Sequence, residues 1–148
     1  MGIKDEFVQD NHSLSRSSGT LRGLLFQAPP AAQGKLVRCG RGAIFDVIVD
    51  LRKHSKTFGK WKSVILDSKM MNMVFVPSGF AHGFQTLAPD CEILYLHTDY
   101  HNQELECGYN YNSQNLKINW PLEVTQISER DRNLKFFQDK RKSSNHEV

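Results

Sequence analysis

Two short stretches of this sequence place polar side chains that could do chemistry among apolar neighbours. They are Leu21-Arg22-Gly23-Leu24-Leu25-Phe26-Gln27 and Pro77-Ser78-Gly79-Phe80-Ala81-His82-Gly83-Phe84. Arginine binds anions through a rigid fork of donors, and histidine exchanges protons near neutral pH. Together the two stretches predict a small β-barrel with a polar pocket.

The spacing of apolar residues predicts the strands that would position these side chains. Period two is clearest over residues 43–51, which have one apolar and one partly polar face. Residues 35–39 are predicted to be the hairpin partner of this strand, through a Gly40-Arg41-Gly42 turn. Further strands are predicted at residues 60–67, 70–76, 82–87 and 92–100.

A short helix is predicted at residues 128–137, with Ser128 as its N-cap and Asp131 in its first turn. The many short strands before it, separated by turn signals, are typical of a β-sandwich or barrel. We therefore predict an all-β fold with a short C-terminal helix. Such sheets often cover their edges by pairing between subunits, so we also expect a homodimer.

The composition is ordinary for a globular protein, with 148 residues, 39% of them apolar, and a net charge of +3. We assign residues 1–138 to one domain and residues 139–148 to a polar tail that we expect to be flexible. No apolar run approaches the roughly 20 residues of a membrane helix, and the first residues lack the core of a secretory signal. A cytoplasmic location and no membrane or nucleic-acid partner are therefore expected.

The three cysteines, Cys39, Cys91 and Cys107, are widely spaced and form no CxxC pair. This spacing indicates neither a zinc site nor a disulfide framework. We expect all three to be buried or half-buried thiols.

Ordered motifs along the chain add a more specific indication. They are Phe7-Val8-Gln9-Asp10-Asn11-His12-Ser13, Leu21-Arg22-Gly23-Leu24, Gly34-Lys35-Leu36-Val37-Arg38-Cys39, Thr57-Phe58-Gly59, Gly79-Phe80-Ala81-His82-Gly83-Phe84 and Trp120-Pro121. In this order they resemble the dTDP-4-dehydrorhamnose 3,5-epimerase family, a branch of the cupin-like jelly rolls. The resemblance runs from about Phe7 to about Asp131 and implies a cupin-like double-stranded β-helix.

The resemblance implies an isomerase of deoxysugar and rhamnose biosynthesis, which inverts C3 and C5 of a dTDP-linked 4-keto-6-deoxy sugar. Both carbons flank the carbonyl, so a base can remove a proton, an enolate forms, and a proton returns to the opposite face. No metal or organic cofactor is implied. The family's base is the histidine of an Arg-Gly-Leu-His-x-Gln motif, which an aspartate orients, and its acid is a tyrosine.

Carried over by position, these roles fall on particular residues of this chain. Tyr95 becomes the acid, Asp131 becomes the orienting carboxylate, and His82 lines the pocket beside the reacting ring. The implied substrate-binding residues are Arg22 and Lys35 on the sugar and pyrophosphate side, Gln9 and Asn11 near the nucleotide, Arg130 where lysine is frequent, and His101.

The chain departs from the family pattern at three places. The base position holds Leu25, which cannot accept a proton, and the second of two expected tyrosines is His101. The family's front strands, with an Arg-Gly-x-Phe pattern, have no counterpart before Gln9. We therefore expect the nucleotide clamp and the dimer contact to differ from those of the family.

Simpler roles remain open for the same residues. His82 follows a Pro-x-Gly turn as a cupin metal ligand would, but Leu24-Leu25-Phe26 lacks the other ligands, so no metal is predicted. Tyr95 could be an ordinary core or rim tyrosine, and Asp131 a carboxylate that stabilises a helix N-terminus. His97 and His101 are predicted to be surface residues.

Three functions therefore remain open. Tyr95, His82, Arg22 and Lys35 favour a working sugar-nucleotide epimerase with a different base or altered regiochemistry. Leu25 favours an inactive relative, which binds a nucleotide sugar or pairs with an active partner. The third possibility is a truncated copy with no function of its own.

Overall fold

Two antiparallel β-sheets face each other in the computed structural model, which describes residues 6–29, 34–100 and 103–139. One sheet has the order β1-β8-β3-β6 and the other β5-β4-β7-β2-β9. The predicted all-β jelly-roll class is confirmed. The strands are β1 (Gln9–Ser15), β2 (Leu21–Gln27), β3 (Lys35–Arg41), β4 (Ala43–Asp50), β5 (Trp61–Asp67), β6 (Met73–Val76), β7 (Phe80–Thr86), β8 (Cys91–His97) and β9 (Glu106–Gly108).

The space between the sheets is filled at one end by an apolar core. Val37 and Ile93 from one sheet pack with Ile44 and Phe84 from the other, and all four are almost fully buried. The partly polar face predicted for residues 43–51 points into this space, because Ile44 and Asp46 lie on the same side of β4. Polar side chains on that face therefore lie inside the protein rather than in solvent.

A second layer covers the outer face of the five-stranded sheet. It is formed by residues 109–137, in which Leu116 and Phe137 are buried against Val47 and Val49. This layer explains why both faces of β4 are buried. Within this layer, residues 125–132 reach the mouth between the two sheets.

The predicted hairpin between residues 35–39 and 43–51 is wrong. β3 pairs with β6 and β8, whereas β4 pairs with β5 and β7 in the other sheet. Gly42, with φ of +85°, carries the chain from one sheet to the other, and a Cβ there would lie 2.6 Å from Cys91 Sγ. A glycine-rich turn between two strands is thus compatible with a crossover as well as with a hairpin.

The predicted helix at residues 128–137 is confirmed only in its first turn, α1 (Glu129–Arg132). Ser128 is its N-cap as predicted, because its Oγ accepts a hydrogen bond from the Asp131 N–H at 3.1 Å. The helix stops early because the Asn110 side-chain amide donates to the carbonyls of Arg132, at the end of α1, and of Leu134 beyond it. Those carbonyls are then satisfied without further helical turns.

The described residues contain no helix that is long and apolar enough to cross a membrane. Cys39 and Cys91 are buried thiols as expected, but Cys107 is exposed, because it lies on the edge strand β9. The domain bounds of 1–138 and 139–148 stay predictions, and residues 140–148 lie outside the described part of the chain.

Asp50 fixes the chain where it leaves β4. Its buried carboxylate accepts hydrogen bonds from the Arg52 guanidinium and from the hydroxyls of Ser55 and Thr57. Burial by itself raises the pKa of Asp50, but these donors outweigh it and hold the pKa well below its usual range. The ionised carboxylate therefore stabilises this loop.

We predict that Asp50→Asn lowers the free energy of unfolding at pH 7 by about 1–3 kcal/mol, because a buried network loses its acceptor. Since the folded pKa lies below the unfolded value of about 4, the wild-type contribution is present above that pH and disappears as pH falls toward the folded pKa. Urea denaturation at pH 7 and pH 3 measures both effects. Asp10→Asn, at an exposed position of β1, is the matched control, and an equal effect there would contradict this role.

Candidate functional site

A cavity of about 800 Å³ opens between the two sheets, at the end opposite the apolar core. This volume is in the usual range for sites that bind small molecules. Seven of the nine predicted site residues line it: Asn11, Arg22, Lys35, His82, Tyr95, Arg130 and Asp131. Of the other two, Gln9 lies next to the cavity and His101 lies outside the described residues.

The pairing register of the four-stranded sheet determines which side chains form one wall of the cavity. Asn11 is paired with Tyr95, and in the next cross-strand row Gln9 and Lys35 are both paired with His97. Because side chains alternate along a strand, these residues all point to the inner face. The Gln9 amide donates a hydrogen bond to Asn11 Oδ1 at 3.4 Å, so Gln9 acts on the cavity through its neighbour.

His97 is a cavity residue, and its predicted place on the surface is wrong. It is 7% exposed, its Nε2 lies 3.2 Å from the Asn11 amide nitrogen, and its ring stacks on Tyr95 with centroids 6.0 Å apart. It is buried because it follows Tyr95 by two positions on β8 and therefore shares the inward face. That spacing was the available signal in the sequence.

The opposite wall is shaped by an irregularity in β2. The pairing of β2 with β7 shifts between Arg22 and Leu25, so both side chains reach the cavity. Gly23 lies within the shift, with φ of +100°, and a Cβ there would lie 2.6 Å from the His82 carbonyl oxygen. Only glycine fits this backbone without displacing β7.

Leu25 occupies the predicted base position and is half-buried in the cavity wall. Its partner across the β2–β7 pair is His82. The leucine side chain carries no group that exchanges protons, so this position supplies an apolar contact. Any proton transfer in the cavity must use another residue.

His82 and Asp46 form a buried pair on the same wall. His82 Nε2 lies 2.6 Å from Asp46 Oδ1, and the two residues are 4% and 1% exposed. His82 was predicted as a site residue from the sequence, but Asp46 was not. Its signal was an acidic residue on the inward face of β4, where a carboxylate needs a partner to be buried.

Asp131 reaches the cavity from α1. It is 3% exposed, its Oδ2 accepts a hydrogen bond from the Gly23 N–H at 3.0 Å, and its Oδ1 accepts one from Arg130 Nε at 3.3 Å. Arg130 also pairs with Glu106 on β9. Asp131, which was predicted to orient a histidine, therefore hydrogen-bonds to the shifted segment of β2 and to an arginine instead.

The protein shifts the pKa values of two groups in the cavity. Desolvation raises the pKa of Tyr95 above its usual range, and the nearby Asp46 carboxylate acts in the same direction. The phenol therefore stays protonated and can donate. Desolvation lowers the pKa of the Lys35 ammonium, while Glu106 and Asp46 oppose this effect.

The described residues contain no group of three or more histidine, cysteine or acidic side chains that could hold a metal ion. The chemical groups available at the cavity are instead a phenol, an imidazole–carboxylate pair, and the basic side chains of Arg22, Lys35 and Arg130. Such a set can bind an anionic ligand and move protons beside it.

Comparison with known proteins finds relatives over nearly the whole chain. The family model described as dTDP-4-dehydrorhamnose 3,5-epimerase matches residues 1–139. The enzyme of that name from Shigella flexneri is 45% identical over 139 residues, which are 94% of this chain and 76% of the relative. The enzyme from Sinorhizobium fredii is 50% identical over a region that makes up 84% of this chain and 64% of the relative.

Solved structures agree with these sequence matches. The dTDP-4-dehydrorhamnose 3,5-epimerase from Bacillus anthracis, with TDP and PPi bound, has a TM-score of 0.90 and 44% identity, over 92% of this chain and 78% of that one. The dTDP-6-deoxy-D-glucose-3,5-epimerase from Legionella pneumophila, in complex with dTDP-4-keto-L-rhamnose, has a TM-score of 0.87 and 45% identity, over 91% and 71%.

We predict that Gly23→Ala lowers the free energy of unfolding by about 1–3 kcal/mol, since any other residue is strained at this φ and its Cβ meets the β7 backbone. Gly40→Ala is the control, because the one tight contact of its Cβ would be the flexible end of Leu94, while the nearest backbone atom lies at 3.9 Å. Urea denaturation of both variants measures the difference. Equal stability of the two variants would contradict the assigned role of Gly23.

Proposed function

Because the chain belongs to the dTDP-4-dehydrorhamnose 3,5-epimerase family, we propose that it epimerises a dTDP-linked 4-keto-6-deoxy sugar in the cavity between its sheets. One observation carries the proposal: Tyr95, His82, Arg22 and Lys35, from four strands and both sheets, line one cavity. The family resemblance gives these residues acid–base and anion-binding roles, and their convergence fits such a ligand.

The proposed reaction needs a proton donor beside the enolate, and Tyr95 meets this need. Its raised pKa keeps the phenol protonated, so it can deliver a proton to the carbon that has lost one. Arg22 and Lys35 would lie on the sugar and pyrophosphate side, where their charges stabilise the diphosphate and the developing oxyanion. Gln9, Asn11, Arg130 and His101 are the proposed contacts of the nucleotide and the rim.

A second candidate, binding without catalysis, is favoured by Leu25. The side chain at the expected base position lines the cavity and cannot take a proton. Loss of a general base typically costs about 10²–10⁴ in rate. In this alternative the cavity would bind the nucleotide sugar, and turnover would belong to an active partner.

We predict that the wild-type chain catalyses deuterium exchange from heavy water into C3 or C5 of dTDP-4-keto-6-deoxyglucose. Proton NMR measures the exchange. Leu25→His is expected to raise the rate by about tenfold or more, because it adds an imidazole near Asp131. Leu25→Asn is the control, because asparagine is close to histidine in size and polarity but has no basic nitrogen. Wild-type binding of dTDP in calorimetry without any exchange would favour the binding-only alternative.

We also propose that the chain forms a homodimer through the outer face of the four-stranded sheet. Leu14, Met73 and Leu96 lie on this face and are 42%, 43% and 39% exposed. Residues 109–137 cover the other sheet, but no comparable layer covers this face among the described residues. Exposed apolar patches of this kind mark interaction surfaces.

Sedimentation velocity tests the dimer. Leu96→Lys is expected to shift the wild-type dimer to a monomer, because it places a charge in the proposed contact. Leu122→Lys is the matched control, since Leu122 is 41% exposed but lies in the C-terminal layer. A wild-type monomer, or equal effects of the two changes, would contradict the proposed contact.

A cytoplasmic location belongs to the same proposal. The free thiols of Cys39, Cys91 and Cys107 agree with it, because reducing compartments keep cysteines unpaired. The location itself stays a prediction.

A further inference from the structure

The strand next to Leu25 carries an imidazole at the same level of the cavity. Leu25 on β2 and His82 on β7 are direct partners in an antiparallel pair. The Cβ atoms of such partners are about 4.5–5.5 Å apart and point to the same face of the sheet. The His82 imidazole therefore lies within one side-chain width of the place where the base is missing.

His82 has the electronic arrangement of a general base. Its Nε2 hydrogen-bonds to the Asp46 carboxylate at 2.6 Å, and an ionised carboxylate accepts but does not donate. The proton of a neutral imidazole is therefore on Nε2, which leaves the lone pair on Nδ1. His82 lines the cavity, and Nδ1 is the ring nitrogen left for a bound ligand.

Three other proton-accepting groups of the described cavity are less suitable. Both oxygens of the Asp131 carboxylate already accept hydrogen bonds, one from the Gly23 N–H and the other from Arg130. Glu106 is paired with Arg130. His97 interacts with the Asn11 amide through Nε2 and has Tyr95 stacked on its ring.

We propose that His82, oriented by Asp46, is the base that abstracts the substrate proton in this chain. The inference rests on the proposed epimerase function and deepens it. The C–H bond beside the carbonyl breaks, its proton goes to His82 Nδ1, and its electron pair forms the enolate. Tyr95, on the facing sheet with its ring centroid 6.4 Å from that of His82, donates its hydroxyl proton to the same carbon. Transfer of a proton from the imidazolium to the phenolate through water then restores both groups.

Deuterium exchange into dTDP-4-keto-6-deoxyglucose, measured on the full chain, tests this role with His82→Gln. Glutamine keeps a donor for Asp46 but has no basic nitrogen, so the exchange rate should fall by about 10²–10⁴. Affinity for dTDP, measured by calorimetry, should change by less than about threefold, since the base acts only on the proton. His54→Gln, at an exposed position in the loop after β4, is the matched control and should exchange as the wild type does.

A second variant keeps the test decisive if glutamine disturbs the fold. His82→Ala leaves a space beside Asp46, and added imidazole is expected to restore exchange in a saturable manner. Exchange in folded His82→Gln within about tenfold of wild type would overturn the inference and leave the epimerase function intact. The inference also fails if His82→Ala binds dTDP and imidazole restores nothing. A wild-type chain that binds dTDP without exchange would instead remove the epimerase function, and the inference with it.

Discussion

The hydrogen bond between His82 and Asp46 is the interaction on which the interior of this protein depends. A carboxylate between two sheets is costly unless a partner satisfies it, and β4 and β7 are neighbours in the sheet that supplies one. With that pair in place, the inner faces can be apolar at one end and polar at the other. The same fold therefore provides both a core and a ligand cavity.

Alternation along the strands made most of this architecture predictable, and the family motifs singled out seven residues that line the cavity. What the sequence could not supply was the neighbour of each strand. The hairpin of residues 35–39 with 43–51 was wrong for this reason, because a local pattern does not say in which sheet a strand lies. Asp46 and His97 were missed because their partners are 36 and 86 residues away.

Leu25 shows how a scaffold and its chemistry can be separated. The backbone around it is set by the shifted pairing of β2 and by Gly23, and neither depends on the side chain at position 25. A leucine there leaves the cavity and the Asp131 contact with Gly23 in place. Resemblance over the whole chain therefore indicates the fold more strongly than it indicates the identity of the base.

The cavity is closed by residues from the two ends of the described chain. Asn11 comes from the first strand, whereas Arg130 and Asp131 belong to the C-terminal layer that covers the five-stranded sheet. A chain emerging from the ribosome would thus have nearly all of its strands before it had a complete site. Sheets built from such distant partners also fold slowly. A ligand that binds this cavity would therefore stabilise the finished protein and give little help to the nascent one.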